Sequence, residues 1–228
     1  MNPRDLRPPL VMAVSALVLA AVFLAFPQLD RLSSAALYRP DGFLLRGSAV
    51  FDFVHDYVGV LAWLGALAAL AILLGAKRLP RLAAWRRPAA YMLLVLLLGP
   101  GLLVNAVLKD HWGRARPVQT VEFGGAAQFT PAWVVSDQCR SNCSFVCGDA
   151  SIGFSLLGLA FVSRRPRRWL AAGILLGGGL GLMRMAQGGH FLSDVIFSFY
   201  ATWFAAWLLA RLIDPLGTRA GRLDSGPK

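Results

Sequence analysis

The sequence predicts an all-α fold: a bundle of six transmembrane helices with an extracytoplasmic loop region and both termini in the cytoplasm. Of the 228 residues, 57% are hydrophobic and 15% are charged, whereas soluble domains have roughly 45 to 50% apolar and about 25% charged residues. The apolar residues fall into six segments, and the basic residues cluster in the short stretches between them. This pattern is typical of a chain that crosses a membrane several times.

The six apolar segments are expected to cross the hydrocarbon core as helices. Such a crossing takes about 20 residues at roughly 1.5 Å each. They comprise residues 10–26, 54–75, 89–108, 150–162, 169–183 and 190–212. The first segment would alternatively be a cleaved signal peptide, but no small-residue cleavage site follows Phe26-Pro27-Gln28, so we expect an uncleaved span. The fourth is short, and its helix is expected to begin within the preceding loop.

The stretches outside the spans differ in character. Residues 28–53 mix charged and apolar side chains, which is typical of an interfacial segment. The loop over residues 109–148 carries Cys139, Cys143 and Cys147, and two of them would form a disulfide in an oxidising compartment. Small residues at four-residue spacing in the fifth span, typical of close helix packing, are Gly173, Gly177 and Gly181.

The whole chain is expected to form one membrane domain over residues 1–213 and a disordered tail over residues 214–228. Six spans place both termini and two loops on one side, and 15 of the 23 lysines and arginines lie there. By the positive-inside rule this side is cytoplasmic. The net charge of +11 therefore reflects membrane topology and does not indicate a nucleic-acid partner, because the basic residues form no single surface interleaved with aromatic side chains.

Three ionisable residues lie on the opposite face, between the fifth and sixth spans: Arg184, His190 and Asp194. Such side chains are costly at membrane depth and are therefore functional candidates, although capping or snorkelling would also explain them. If His190 opens a helix, Asp194 lies on the same face and holds one ring nitrogen, which leaves the other free to attack. The planar donors of Arg184, carried by the Gly188-Gly189 turn, suit a phosphate.

Two further polar segments reach the same face. One is Lys109 followed, after six residues, by Arg116-Pro117 at the end of the third span, and the other is Cys147-Gly148-Asp149 at the start of the fourth. Positioned cations and helix starts both bind anions well. We therefore expect three distant parts of the chain to form one anion-binding pocket.

In chain order, the three segments form a first motif from Lys109 to Pro117, a middle motif from Cys147 to Asp149 and a third motif from Arg184 to Asp194. In their spacing, order and membrane position, the first and third motifs resemble those of the type 2 phosphatidic acid phosphatase family of membrane lipid phosphatases. The resemblance covers roughly the second half of the chain. It implies that Lys109, Arg116 and Arg184 bind the phosphoryl oxygens, that His190 attacks phosphorus to give a phosphohistidine, and that Asp194 orients His190. Phosphoryl transfer mainly requires positioned cations and an in-line nucleophile, so neither a metal ion nor another cofactor is expected.

The middle motif departs from the family pattern, in which Ser-Gly-His supplies a histidine that protonates the leaving group. In this chain Asp149 either donates that proton or stays ionised beside an arginine. Cys147 and Gly148 are expected to offer backbone N–H groups to the phosphate. A cysteine nucleophile is discounted, because Gly153 stands where the arginine six residues after Cys147 would be needed. Arg114 is a further candidate, as a phosphate ligand or as a headgroup contact.

The sequence therefore predicts an integral protein of the cytoplasmic (inner) membrane with its active site on the periplasmic face. The expected partners are the bilayer and a lipid phosphate: lipid A, phosphatidylglycerol phosphate, phosphatidic acid or isoprenyl diphosphate. The long outer loop favours a large headgroup such as that of lipid A. Two alternatives are a phosphotransferase that passes the phosphate to another lipid, and a binder or transporter of lipid phosphates without turnover.

Overall fold

The computed structural model describes residues 7–216. Its helices are α1 (Arg7–Ala25), α2 (Gln28–Ala35), α3 (Ala49–Gly75), α4 (Arg86–Leu96), α5 (Lys109–His111), α6 (Gly148–Phe154), α7 (Pro166–Ala186) and α8 (Leu192–Ile213). Two short strands, β1 (Tyr38–Arg39) and β2 (Gly42–Phe43), pair as an antiparallel hairpin. Most of the predicted tail, residues 217–228, lies outside the described residues.

Five helical stretches in the described part of the chain are long and apolar enough to cross a membrane. They are Arg7–Ala25, Ala49–Gly75, Pro80–His111, Pro166–Ala186 and Leu192–Ile213, and a sixth apolar stretch, Gly148–Phe161, is shorter. The outer faces of α1 and α3 carry exposed large side chains, such as Leu17 and Trp63, as lipid contact requires. The helical membrane protein is thus confirmed, whereas six crossings and the orientation of the termini remain predictions.

The third span is a composite that ends at the pocket. After a 3₁₀ turn, Pro80–Trp85, and α4, it widens into the π-helical segment Leu97–Leu108 and closes with α5. Pro100 interrupts the helical hydrogen bonds because it has no N–H. The side chain of Asn105 donates to the carbonyl of Pro100 at 2.7 Å, so this amide has a partner within the apolar segment.

The glycines of α7 allow the last three helices to approach closely. A Cβ on Gly177 would lie 2.3 Å from the Phe154 ring, and one on Gly181 would lie 2.3 Å from the side chain of Val195. Only a residue without a side chain fits such approaches. The predicted close packing is confirmed, and it places the end of α7 beside the starts of α6 and α8.

The segment before α3 covers this end of the bundle. The predicted interfacial segment forms α2 and the hairpin, and the N–H of Leu45 donates to the carbonyl of Ala186 at 2.9 Å. Gly188 has φ +73°, and a Cβ there would lie 2.4 Å from the Phe43 ring. The hairpin therefore packs directly on the turn between α7 and α8.

The long loop between α5 and α6 is packed against the bundle. The rings of Trp112, Trp133 and Phe145 contact one another, and the last two also contact Phe197 of α8. A disulfide joins Cys139 to Cys143, whereas Cys147 is a free, buried thiol. The loop is thereby held over the helix ends, where Arg116, Asn142 and Ser144 take part in the pocket.

Candidate active site

Two of the predicted phosphate ligands meet at one loop residue. The Nζ of Lys109 donates to Oδ1 of Asn142 at 3.2 Å, and Nη2 of Arg116 donates to the same oxygen at 2.9 Å. Arg116 also donates to the backbone carbonyl of Asn142 at 2.8 Å. Burial, together with the neighbouring charge of Arg184, lowers the pKa of Arg116. Positive charge is therefore crowded here, a situation that a bound anion would relieve.

The third predicted ligand, Arg184, is buried at the end of α7. Its Nη1 donates to Oε1 of Gln187 at 2.7 Å, and its Nε lies 3.3 Å from Oδ2 of Asp149. A Cβ on Gly189 would lie 2.7 Å from Nη2, so the guanidinium sits directly against the backbone that precedes His190. The absence of a side chain at Gly189 is what makes room for this arginine.

His190 lies in the connection between α7 and α8 and is 1% exposed. Its Nδ1–H donates to the carbonyl of Ser144 at 2.7 Å, which fixes the tautomer and leaves the lone pair of Nε2 free. Burial lowers the pKa of His190 to about 4, although the carboxylate of Asp194 opposes this shift. The imidazole is therefore neutral at physiological pH, as a nucleophile must be.

Asp194 supports His190 differently from what the helical spacing predicted. Its Oδ2 is 3.7 Å from Nδ1 of His190, beyond hydrogen-bond distance. The reason is that α8 begins only at Leu192, so His190 does not occupy the preceding turn of the same helix. Asp194 instead accepts from the hydroxyl of Ser144 at 2.5 Å and from the N–H of Phe191 at 2.8 Å. It thus holds the two residues that position the imidazole.

Arg114 is not placed as a phosphate ligand, and that expectation is corrected. It is fully buried, and its guanidinium donates to Asp194 at 2.6 Å and to Asp30 at 2.7 Å. Further donors reach Ser193 and the carbonyl of Thr130. Four of its five N–H groups would have to leave protein partners before the side chain could turn to a substrate. Arg114 is an internal anchor for Asp194.

The middle motif, Cys147-Gly148-Asp149, packs against Lys109 of the first motif. A Cβ on Gly148 would lie 3.0 Å from Nζ of Lys109, so this glycine leaves space for the lysine. The backbone N–H of Cys147 donates to the carbonyl of Asp194 at 3.1 Å, which corrects the expectation that it faces a phosphate. Burial raises the pKa of the Cys147 thiol to about 12. A thiol that stays protonated is a poor nucleophile.

The carboxylate of Asp149 lies between two basic side chains. Its Oδ2 lies 2.6 Å from Nδ1 of His55, on α3, and 3.3 Å from Nε of Arg184. This geometry corresponds to the alternative in which the carboxylate is paired with an arginine and stays ionised. The structure therefore favours a positioning role for Asp149 over proton donation.

Sequence reasoning missed five residues that hold the pocket together. They are Asp30, Asp52, His55, Asn142 and Ser144. Of these, the acidic and imidazole groups at the start of the second span carried a usable signal, since ionisable side chains at membrane depth are functional candidates. The serine and asparagine are ordinary loop residues, and their spacing contains no such signal.

The assembled pocket has the parts that phosphoryl transfer needs. The charges of Lys109 and Arg116 act on the neutral imidazole of His190, and Arg184 lies against the backbone that precedes it. The imidazole presents a free nitrogen. Positioned cations stabilise charge that spreads over equatorial phosphoryl oxygens. The arrangement is thus suited to binding a phosphate ester and attacking its phosphorus.

Comparison with known proteins agrees with this chemistry. The family model described as "PAP2 superfamily" matches residues 88–217. The chain is 39% identical over 197 residues, 84% of its length and 89% of the relative's, to the lipid A 4'-phosphatase of Francisella tularensis subsp. novicida (strain U112). It is 47% identical to the lipid A 4'-phosphatase of Rhizobium leguminosarum over 117 residues, half of each chain. No solved structure matches the chain.

Proposed function

This chain belongs to the PAP2 superfamily, and on that premise we propose that it removes the 4'-phosphate of lipid A by way of a phosphohistidine at His190. Membership confirms the family resemblance carried by the motifs. Together with the 39% identity to a lipid A 4'-phosphatase, it makes the chain a membrane lipid phosphatase. The substrate, the reacting residue and the side of the membrane belong to the proposal.

The observation that carries the proposal is the convergence of separate helix ends on one pocket. Lys109 and Arg116 meet at Asn142, while Arg184 lies against the backbone before His190. Cations placed in this way bind the phosphoryl oxygens of a substrate and stabilise the charge on them during transfer.

In the first step, Nε2 of His190 forms a bond to phosphorus while the bond from phosphorus to the ester oxygen breaks. The lone pair of Nε2 is available because Nδ1–H donates to the carbonyl of Ser144. The imidazole becomes positively charged as it bonds to phosphorus, and the carboxylate of Asp194, 3.7 Å from Nδ1, offsets that charge. The dephosphorylated lipid leaves from the opposite side of the phosphorus.

In the second step, water attacks the phosphohistidine. The bond between phosphorus and Nε2 breaks, the electron pair returns to the imidazole of His190, and inorganic phosphate leaves. The same three cations stabilise this transition state, because it again spreads charge over the equatorial oxygens. Water as the acceptor makes the protein a hydrolase.

Two features support a membrane lipid as the substrate. The relatives above are named lipid A 4'-phosphatases, and an apolar groove of 820 Å³ opens among α3, α4, α6 and α7. Such a groove suits an acyl chain that stays in the bilayer while its phosphate enters the pocket. By the positive-inside rule, the pocket faces the periplasm across the inner membrane.

The proposal is tested with purified protein in detergent and a panel of lipid A, phosphatidic acid, phosphatidylglycerol phosphate and an isoprenyl diphosphate. We expect phosphate release to be fastest from lipid A, and mass spectrometry of the product to show loss of the 4'-phosphate. His190→Ala should lower the rate by at least about 10³-fold, since it removes the nucleophile.

The matched control is His111→Ala. His111 is exposed and bonds only the carbonyl of Val107 among the described contacts, so its removal should leave the rate unchanged. Equal rates for wild type and His190→Ala would refute the nucleophile. Faster cleavage of another lipid, or of the 1-phosphate, would refute the substrate.

A further inference from the structure

A second histidine–aspartate pair borders the phosphate pocket. Nδ1 of His55 lies 2.6 Å from Oδ2 of Asp149. The histidine lies in the second turn of α3, and the aspartate is the second residue of α6. The contact is therefore made by helix packing across 94 residues of sequence, and α3 precedes the part of the chain that the family model matches.

The pair is joined to the phosphate pocket through Arg184. The same carboxylate oxygen of Asp149 lies 3.3 Å from Nε of Arg184. A second route leads from α3 to this arginine, because Oδ1 of Asp52 accepts from Gln187 at 2.8 Å and Gln187 accepts from Arg184 at 2.7 Å. Arg184 in turn lies against the backbone that precedes His190. The first turns of α3 are thus fixed at the edge of the pocket.

The side chain of His55 is partly exposed. With Nδ1 committed to Asp149, Nε2 is the atom that can exchange a proton with a substrate. The side chain keeps 38% of its surface exposed, compared with 2% for His190. The apolar groove of 820 Å³ is lined by Val54, beside His55, and by Ile152, one turn after Asp149. The groove therefore runs next to the pair.

We propose that His55 is the general acid of the reaction, which protonates the alcohol oxygen of the lipid as that oxygen leaves phosphorus. The assignment rests on the phosphatase function proposed above. Asp149 is the positioning residue, since its carboxylate accepts from Nδ1–H and keeps Nε2 directed away from itself. This arrangement gives the pocket two histidine rings with different duties, one attacking and one protonating.

One proton leaves His55 in the first step and one returns to it in the second. In the first, Nε2 of His190 bonds to phosphorus, the phosphorus–oxygen bond breaks with its electron pair on oxygen, and the proton on Nε2 of His55 passes to that oxygen. In the second, water gives a proton to the now neutral His55 as its oxygen bonds to phosphorus, and the bond to His190 breaks. His55 ends as it began, ready for the next substrate.

Other groups of the pocket are less suited to this role. Lys109, Arg116 and Arg184 are needed as cations, and an arginine does not release its proton. Asp194 is fully buried and bonded to Arg114 and Ser144. The chain has three histidines, and the remaining one, His111, is exposed and bonds the carbonyl of Val107. Histidine is also the side chain best matched to proton transfer near neutral pH.

The test compares two leaving groups in the first turnover of His55→Asn. The asparagine amide can still donate to Asp149 but has no ring proton to transfer. One ester is whichever lipid monoester the wild-type protein cleaves fastest, and the other is a p-nitrophenyl phosphate, whose phenolate leaves without a proton. We expect release of the lipid alcohol to slow by about 10²- to 10⁴-fold, and the burst of p-nitrophenolate to change by less than threefold.

Each outcome decides the question. An equal loss with both esters would mean that His55 acts only on structure, and no loss with either would mean that it donates no proton; both results overturn the inference. Wild-type protein that cleaves neither ester would instead refute the proposed function itself. His111→Asn is the matched control, and His55→Gln replaces His55→Asn if the latter does not give the wild-type melting curve.

Discussion

Two regions of the chain supply the same pocket with different kinds of side chain. The matched region is residues 88–217, which match the family model, and the preceding region is residues 7–87. The matched region provides the cations and His190. The preceding region provides Asp30, Asp52 and His55, each bonded to a residue of the matched region. The proposed phosphate ligands and the proposed nucleophile thus all lie in the matched region, and the preceding region adds side chains that bond to residues around them.

The family motifs alone therefore do not complete the pocket. Without Asp30, the fully buried guanidinium of Arg114 would lose one of its two carboxylate partners. A buried charge without its partner is strongly destabilising. We therefore expect substitutions in the preceding region to lower the stability or activity that depends on the matched region. The size of each effect should depend on how deeply the contact is buried.

The largest effect is expected for Asp30→Asn. Asp30 is fully buried and bonds both Arg114 and Ser193. Removing one member of such an ion pair costs about 3 to 5 kcal/mol, so the melting temperature in detergent should fall by roughly 10 °C and activity should fall with it. Asp41→Asn, at an exposed turn of the hairpin, is the control. An unchanged melting temperature for Asp30→Asn would remove the distinction between the two regions.

The next effect is that of pH on His190, the proposed nucleophile in the matched region. Burial lowers the pKa of His190 to about 4, so the reactive neutral imidazole predominates above that pH. The rate of the first turnover should fall about tenfold per pH unit below it. The unfolded chain binds this proton at a higher pH, so the folded state is also weakened between about pH 6.5 and 4. Melting curves at each pH separate the two effects, and a rate that stays level down to pH 3 would contradict the assignment.

A moderate effect is expected within the matched region for Asn142→Ala. The variant removes the side-chain oxygen shared by Lys109 and Arg116. Hydrogen bonds to charged groups contribute roughly 1.5 to 3 kcal/mol, so kcat/KM should fall about 10- to 100-fold. Ser141→Ala, at the exposed neighbouring position, should change little. If both variants behave alike, the loop does not position the two cations.

The smallest effect is expected for Asp52→Asn in the preceding region. Asp52 is half-buried and reaches Arg184 only through Gln187. We expect a two- to fivefold rise in KM with little change in kcat, because the arginine keeps its contact with Gln187 and an asparagine oxygen can still accept. Asp56→Asn, one turn further along α3 and exposed, is the control. A loss above about 100-fold would place Asp52 among the catalytic groups.

Much of the fold follows from local sequence patterns. Apolar length predicts the long helices, and the spacing of Gly173, Gly177 and Gly181 predicts their close packing. The spacing of the motifs also predicted that His190 and the three cations meet in one phosphate pocket, which is the arrangement on which the proposed function rests. These features are readable because they depend on periodicity within one segment.

The contacts that complete the pocket depend on tertiary packing instead. His55 and Asp149 are 94 residues apart, and Asp30 and Ser193 are 163 residues apart. Nothing in either local segment specifies the partner. The helical spacing of His190 and Asp194 did not predict their contact, because α8 begins only at Leu192 and His190 lies outside it. Side-chain partners at membrane depth are set by which helices meet.

A chemical trap of the intermediate tests most directly whether His190 attacks phosphorus in a pocket completed by the preceding region. His55→Asn and wild type are mixed with a ³²P-labelled aryl phosphate, quenched in base, digested and mapped by mass spectrometry. We predict a base-stable, acid-labile phosphate on the peptide that contains His190, at higher occupancy in His55→Asn because its water step is slowed. Label on another residue, or phosphate release without any labelled protein in either form, would contradict the account.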